Sequence, residues 1–241
     1  VAMMAELSKE PVNTCSIGFD SANFDETDYA KKVAQRYKTN HTENIVASDD
    51  FDLVDKLSQL YDEPYADSSA IPTFRVCQLA KQKVTVALSG DGGDEHLAGY
   101  RRYCWHMNEE RLRSRIPLSL RKNVFGPLGR FYPKADWAPK VFRAKTTFEA
   151  LARDSVEAYF HTVSLTTPLQ REQLFSDRLK SDLQGYRSLS VFEDYAKKAP
   201  TDDPLTLIQY LDVKTYLVGD ILTKVDRASM AHALAVRVAL L

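Results

Sequence analysis

Apolar positions along the first hundred residues change period in a regular way. Thr14-Cys-Ser-Ile-Gly-Phe19 is a short β-prone run, and from Thr27 to Tyr37 the residues Tyr29, Val33, Ala34 and Tyr37 recur on one helical stripe. Asn44-Ile-Val-Ala-Ser48 predicts a second strand, after which Asp49-Asp50 are placed to cap a helix carrying Leu53, Val54, Leu57 and Leu60. A third helix is predicted from Ser68 to Lys81, with Ile71, Phe74, Val76 and Leu79 apolar. It leads into Val84-Thr-Val-Ala-Leu-Ser89, a continuous apolar run expected of a strand buried on both faces. Val1 to Leu7 read as the end of an apolar helix, so the chain is expected to start inside an element. Alternating strands and helices predict an α/β fold with a parallel, doubly wound sheet and right-handed crossovers.

Past Tyr100 the strand signal disappears. Helical patterns continue there, interrupted by Pro117, Pro127, Pro133, Pro139, Pro168, Pro200 and Pro204. The expected division is an α/β part over residues 1–110 and a mainly helical part over 111–241, with Ile116 to Pro139 as connector. With 241 residues, 44% of them apolar, the chain can bury a large core without disulfides or metal staples. No apolar run approaches the roughly 20 residues of a membrane span, so neither a transmembrane helix nor a secretory leader is predicted. Cys15, Cys77 and Cys104 are odd in number and widely spaced, which fits a reducing cytoplasm and no zinc site.

The charge is nearly balanced, 32 basic against 33 acidic residues, but unevenly spread. From Arg111 to Lys145 there are ten Lys or Arg and one acid, Asp136. Two readings stand: a solvated helical face, or an anion-binding surface. Nucleic-acid binding is not expected, because the net charge of −1 gives no strong field and Phe125, Phe131, Tyr132, Trp137 and Phe142 read as helix-packing residues.

Glycine is the more telling count. Of nine in the chain, Gly90, Gly92, Gly93 and Gly99 fall within ten residues, directly after the predicted third strand. Open parallel sheets bind ligands beyond the carboxyl ends of their strands, and here that position reads Ser89-Gly-Asp-Gly-Gly-Asp-Glu95. Glycines let backbone N–H groups point at an anion, and a following helix start adds positive potential. Asp91, Asp94 and Glu95 share the same stretch, and that mixture suits a nucleotide phosphate with Mg²⁺. A phosphate loop of the Gly-Lys-Ser/Thr type, a Gly-x-Gly-x-x-Gly fingerprint and a calcium hand all fail on spacing, whereas an acidic structural turn stays open.

Two further groups stand out. Asp62-Glu-Pro-Tyr-Ala-Asp-Ser-Ser69 lies at a loop-to-helix junction, with Asp67 or Ser68 as N-cap. Gly219-Asp-Ile-Leu-Thr-Lys-Val-Asp-Arg-Ala-Ser-Met230 reads as a solvated helix, in which Asp220 and Lys224, four apart, pair with each other. The five histidines are scattered, without metal-ligand spacing; only His96, directly after Glu95, adjoins the acidic loop.

Taken in order, these three stretches resemble the synthetase domain of the glutamine-dependent asparagine synthetase family, a branch of the ATP pyrophosphatase superfamily. Ser89-Gly-Asp-Gly-Gly-Asp-Glu-His-Leu-Ala-Gly-Tyr100 is similar to the family's Ser-Gly-(Glu/Asp)-Gly-x-Asp-Glu-x-x-x-Gly-Tyr loop. Asp62 to Ser69 resembles its acidic helix start, and Tyr216 to Ala231 its C-terminal signature. The resemblance implies an adenine nucleotide alpha hydrolase-like fold, ATP and Mg²⁺ as cofactors, and adenylation of the aspartate side chain followed by attack of ammonia. It implies that Ile17 meets the adenine, that Ser89, Gly90 and Gly92 hold the nucleotide, that Asp91 and Glu95 serve the chemistry, and that Asp94 binds Mg²⁺. The implied partners are small molecules, aspartate or a related carboxylate and ammonia from a glutaminase domain, with a homodimer as the compatible assembly and no nucleic acid or membrane.

Departures from the family pattern shape the expectation. Its Ser-Gly-Gly-x-Asp-Ser loop and first strand would precede Val1, its glutaminase domain lies further upstream, and a catalytic lysine follows the equivalent of Leu241. Ala235 and Ala239 stand where the family carries a carboxylate and a proline, while Arg237 is retained. The expectation is therefore a fragment of a longer enzyme, inactive alone. Alternatives are an amidotransferase of a polysaccharide gene cluster, a β-lactam synthetase-like ligase on another carboxylate, or a noncatalytic nucleotide-binding module.

Overall fold

The computed structural model describes residues 1–19, 27–46, 53–133 and 144–241. Contacts within it divide the chain into two compact units, Val1–Gly92 with Val218–Leu241, and Gly93–Leu217. The first segment contains α1 (Ala2–Leu7), β1 (Asn13–Phe19), α2 (Thr27–Tyr37), β2 (Asn40–Val46), α3 (Val54–Leu60), α4 (Ala70–Lys81) and β3 (Val86–Ser89). The second unit holds α5 (Gly93–Leu97), α6 (Arg101–Arg113), α7 (Leu118–Phe131), α8 (Lys145–Leu151), α9 (Ser155–Val163), α10 (Pro168–Leu174), α11 (Asp177–Asp182), α12 (Leu189–Lys198) and α13 (Pro204–Lys214). A π-helix (Leu217–Leu222) then leads to α14 (Thr223–Met230) and β4 (Ala235–Val238).

The α/β unit carries two parallel ladders. β1 pairs with β2, Asn13 opposite Asn40 through Phe19 opposite Val46, with α2 as the crossover helix. β3 pairs with β4, Val86 opposite Ala235 through Ser89 opposite Val238. Among the described residues the four strands form these two ladders rather than one sheet. Mixed α/β architecture with parallel strands is thus as expected, but β4 is new. It lies past Tyr100, in a stretch read only for its departures from a motif, so the expectation that strands end there is corrected.

β2 starts four residues earlier than the apolar pattern predicts. The added residues are polar and pair through side chains: Asn40 Nδ2 donates to Asn13 Oδ1 at 2.7 Å, and His41 bridges the hydroxyls of Thr14 and Ser16 at 3.0 and 3.1 Å. Ala47, Ser48 and the predicted caps Asp49 and Asp50 lie outside the described residues.

One face of the ladders is buried. α4 packs on β1 and β2, and α14 packs on α4 and β4. Leu57, Tyr61, Phe74, Cys77, Ala228 and Leu234 form the core there, with Cys15, Ala87 and Val236 of β1, β3 and β4 against it. Alternate residues of β3 point the other way: Val86 and Leu88 are 54% and 55% exposed. The expectation of a strand buried on both faces is corrected accordingly, since among the described residues only one face is covered. The α2 stripe is likewise only partly used, with Ala34 buried and Tyr29 exposed.

The helical unit is built on Tyr103, Tyr159, Phe160, Phe192, Ile208 and Leu211, drawn from α6, α9, α12 and α13. The stretch expected as a connector contains α7, which packs on α8 inside this unit, Phe125 stacking on Phe148. Residues 134–143, with Trp137 and Phe142, lie outside the described residues, and Phe131 is exposed rather than packed. Nor is the basic segment wholly a solvated face. Arg113 is buried against Glu109 and Glu110 at 2.7 and 2.9 Å, and buried Arg121 donates to the carbonyls of Ile116, Leu151 and Arg153. No helix among the described residues is long and apolar enough to cross a membrane.

Candidate functional site

The acidic loop begins where β3 ends. Ser89 closes the β3–β4 ladder opposite Val238, and the chain turns at once. The Ser89 hydroxyl donates to Asp91 Oδ2 and accepts from the Asp91 amide at 3.1 Å, so Asp91 is folded back onto the strand end. A side chain built on Gly90 would meet nothing within 4 Å, which leaves its backbone open to an approaching group. Gly92 adopts φ +81°, a left-handed conformation that other residues rarely take. Ile17 lies on β1, in the other ladder, partly buried opposite Asn44. Ser89 and Asp91 are brought together; Ile17 belongs to a separate ladder.

The loop continues into the helical unit as the single helical turn α5. Its two carboxylates have opposite fates. Asp94 is exposed, and among the described residues its side chain takes no hydrogen bond. Its backbone carbonyl accepts from the Gly99 amide at 2.9 Å, and a Cβ on Gly99 would fall 1.9 Å from Asp94 Oδ1. Any side chain at 99 would displace the Asp94 carboxylate from the position it holds over Gly99.

Glu95, one position on, is 1% exposed. Its Oε1 accepts from the Tyr100 hydroxyl at 2.6 Å, and Gln209 Nε2 of α13 donates to the carbonyls of Glu95 and His96 at 2.8 and 3.0 Å. Burial and then the bond to Glu95 push the Tyr100 hydroxyl far above its ordinary range, so it is a fixed donor. The Arg102 guanidinium lies 3.7 Å from the Tyr100 ring centre and donates to Asp212 Oδ2 at 2.7 Å. Asp212, fully buried, also accepts from Tyr103 and Tyr159, each at 2.6 Å.

The two remaining motifs, both in the α/β unit, find each other. Asp62 pairs with Arg227, the Tyr65 hydroxyl donates to the carbonyl of Asp220 at 2.7 Å and to its carboxylate, and Asp67 takes the Lys224 ammonium at 2.6 Å. Lys224 Nζ also reaches Ser69 Oγ at 2.5 Å. Burial raises the Asp67 carboxyl, but Lys224 and the bonds from Ser69 outweigh it and hold Asp67 below its ordinary value. Two expectations are corrected. Asp220 and Lys224 do not pair with each other, and the helix is not solvated, since Lys224, Val225, Ala228 and Ser229 are buried. The cause is the π-helix at Leu217–Leu222, whose wider turn breaks the four-residue alignment. Asp67 serves the backbone of Ser69 at 2.9 Å, the residue just before α4, rather than the first turn of that helix.

Among the described residues no three acidic, histidine or cysteine side chains gather as a metal site. Mg²⁺ bound with a nucleotide takes only one or two protein carboxylates, the phosphates and water completing its shell. Asp94, exposed and free of described hydrogen bonds, fits that donor set; Asp91, tied to Ser89, fits it less well.

Comparison with known proteins agrees with this pattern of residues. The family profile described as asparagine synthase matches residues 1–241. Asparagine synthetase [glutamine-hydrolyzing] 1 of Bacillus subtilis is 29% identical over 228 residues, covering 94% of this chain and 34% of that protein. A putative asparagine synthetase [glutamine-hydrolyzing] of Mycobacterium bovis is 30% identical over 247 aligned positions, covering 99% of this chain and 35% of its own length. A second putative asparagine synthetase, from Methanocaldococcus jannaschii, is 45% identical over 108 residues, 44% of this chain and 20% of that protein. The chain thus spans about a third of the length of the two longer matches. No solved structure matches it significantly.

Proposed function

The chain belongs to the asparagine synthase family, and on that premise we propose that it is the adenylating part of an ATP-dependent carbon–nitrogen ligase whose substrate is aspartate. The observation that carries this reading is the loop Ser89–Glu95, with an open backbone at Gly90 and an outward carboxylate at Asp94. Gly90 leaves room for phosphate oxygens, the left-handed Gly92 turns the loop beside it, and the Ser89 hydroxyl would exchange Asp91 for the nucleotide. Ile17 offers an apolar side chain for the adenine. Asp94 would hold Mg²⁺, an ion that would supply charge screening of the triphosphate toward a second anion.

In the proposed reaction an oxygen of the aspartate side-chain carboxylate attacks the α-phosphorus of ATP, and pyrophosphate leaves. Ammonia then attacks the acyl carbon, the C–O bond to AMP breaks, and the attacking nitrogen loses a proton. Asp91, released from Ser89, would orient the reacting groups. The relatives are named for glutamine hydrolysis, and glutamine is the proposed ammonia source. A cytoplasmic homodimer handling small molecules completes the reading.

Exchange of labelled pyrophosphate into ATP tests it, using the gene product that contains this chain and a panel of carboxylic acids. Exchange dependent on aspartate is the expected result. Exchange driven by a different acid would move the protein to another ligase of the family. Nucleotide binding with no acid-dependent exchange would make it a noncatalytic module.

A further inference from the structure

Glu95 sits beside the loop's reactive positions, yet its side chain is withdrawn from solvent. A group that must meet substrate, metal or water cannot do so from 1% exposure while bonded to a tyrosine hydroxyl. Its surroundings look instead like a mounting. Tyr100 grips the carboxylate and Gln209 grips two successive carbonyls of α5 from the side of α13. Tyr100 in turn carries the Arg102 guanidinium on its ring, and Arg102 is anchored to Asp212 at the centre of the helical core. At the far end of this chain stands Asp94, exposed, resting over the bare Cα of Gly99, one residue before Tyr100.

We propose that Glu95 is a positioning residue: the series Glu95, Tyr100, Arg102 and Asp212, with Gln209, fixes the single turn of α5 so that the Asp94 carboxylate is held ready for a divalent cation. Adjacent residues on a helical turn point about 100° apart, and on this turn Glu95 faces inward while Asp94 faces out. Partners behind a metal ligand set its orientation and affect affinity about 10–100-fold. The inference rests on the function proposed above, because it takes Asp94 as the cation's ligand.

The test measures Mn²⁺ binding by electron paramagnetic resonance, with ATP present, in the intact protein and in single variants. Asp94→Asn should abolish the saturable Mn²⁺ signal. Tyr100→Phe, which removes one hydroxyl, and Glu95→Ala should each weaken Mn²⁺ about tenfold. Glu95→Gln keeps an oxygen for Tyr100 and should stay within about threefold of wild type. Should Tyr100→Phe fail to fold by circular dichroism, Gln209→Leu frees the same turn from the α13 side and is expected to weaken Mn²⁺ likewise. Amide exchange across Gly93–Gly99 should quicken in each weakened variant.

The outcomes separate two failures. No saturable Mn²⁺ in wild type, or none lost in Asp94→Asn, removes Asp94 as the ligand and sinks the functional reading together with this inference. Loss in Asp94→Asn with unchanged binding in Tyr100→Phe or Gln209→Leu overturns the positioning role alone. Equal loss in Glu95→Gln and Glu95→Ala, with Tyr100→Phe unaffected, would make Glu95 a direct ligand and also overturns it.

Discussion

Arg102–Asp212 in the helical unit and Lys224–Asp67 in the α/β unit are the same kind of bond, 2.7 and 2.6 Å long, set in different surroundings. Asp212 is fully buried and receives three donors on one oxygen, Oδ2, while Oδ1 has no hydrogen-bond partner among the described residues. Asp67 is about a fifth exposed and satisfied on both oxygens, one by the Ser69 amide and the other by Lys224 and the Ser69 hydroxyl. Burial removes water as a substitute partner, so what a pair is worth depends on what is left behind when one member goes. The buried pair should be the more costly to break even though it is the less completely bonded.

The largest effect follows directly. Asp212→Ala strands Arg102 and the hydroxyls of Tyr103 and Tyr159, and should cost about 4 kcal/mol, because removing one partner of a buried pair leaves uncompensated polar groups. Urea unfolding of the variant against wild type measures it. A loss below about 1 kcal/mol would mean that these three donors find water, and burial would then not set the cost of breaking the pair.

Next in size is a pH effect in the same unit. His106 is 2% exposed and bonded through Nε2 to Ser155 at 3.1 Å, and among the described residues Nδ1 has no hydrogen-bond partner. Burial first, and Arg113 second, push its pKa down to about 4 from an ordinary 6.5, Glu110 opposing weakly at 3.8 Å. Its folded pKa being the lower, the unfolded chain takes up the proton first. Stability is therefore full above pH 6.5, falls as pH drops toward 4, and levels off once the folded form is protonated too. The total should be about 3 kcal/mol. His106→Leu should flatten that part of a stability–pH curve; a curve unchanged by the substitution would show that another group titrates there.

The effect at the less deeply buried pair is smaller. Lys224→Met should cost about 2 kcal/mol at pH 7, below the fully buried case because Asp67 keeps its bonds from Ser69 and some water. Asp67's folded pKa lies under its ordinary 3.8. Its contribution is thus present above that value and is lost as pH falls through the folded pKa, where variant and wild type should converge. A difference that persists once the folded carboxylate is protonated would assign the cost to packing of the lysine stem instead.

What the sequence made legible follows the same division. β1, with Cys15, Ile17 and Phe19 alternating, and β3, a continuous apolar run, read correctly in place, whereas β2 was out of phase because Asn40 and His41 join it through side-chain hydrogen bonds that carry no hydrophobic signal. β4, four residues long, pairs with a strand that precedes the whole helical unit, and a local pattern holds no trace of so distant a partner. The glycine and acid content of Ser89–Glu95 marked the loop, and Gly99 is indeed a close approach, to Asp94. Which carboxylate faces out was not legible, since Tyr100 and Gln209 decide it through bonds formed only in the folded chain. The acidic motif at Asp62–Ser69 and the one at Gly219–Met230 each looked self-sufficient; their residues are partners, across more than 150 positions of sequence.

The smallest expected effect sharpens the point. Asp62–Arg227 completes the same row of contacts as Tyr65–Asp220 and Asp67–Lys224, yet its side chains are 79% and 41% exposed. Water and salt can replace either partner, and holding two long side chains in one geometry costs entropy, so Arg227→Ala should lose less than about 1 kcal/mol. Half-molar salt should erase most of that loss while leaving the Lys224→Met difference nearly intact, because screening reaches exposed charges and not buried ones. Unfolding of both variants with and without salt reads the two responses side by side. Equal salt sensitivity would mean that the row acts as one electrostatic unit, and position along it, rather than burial, would then set the strength of each contact.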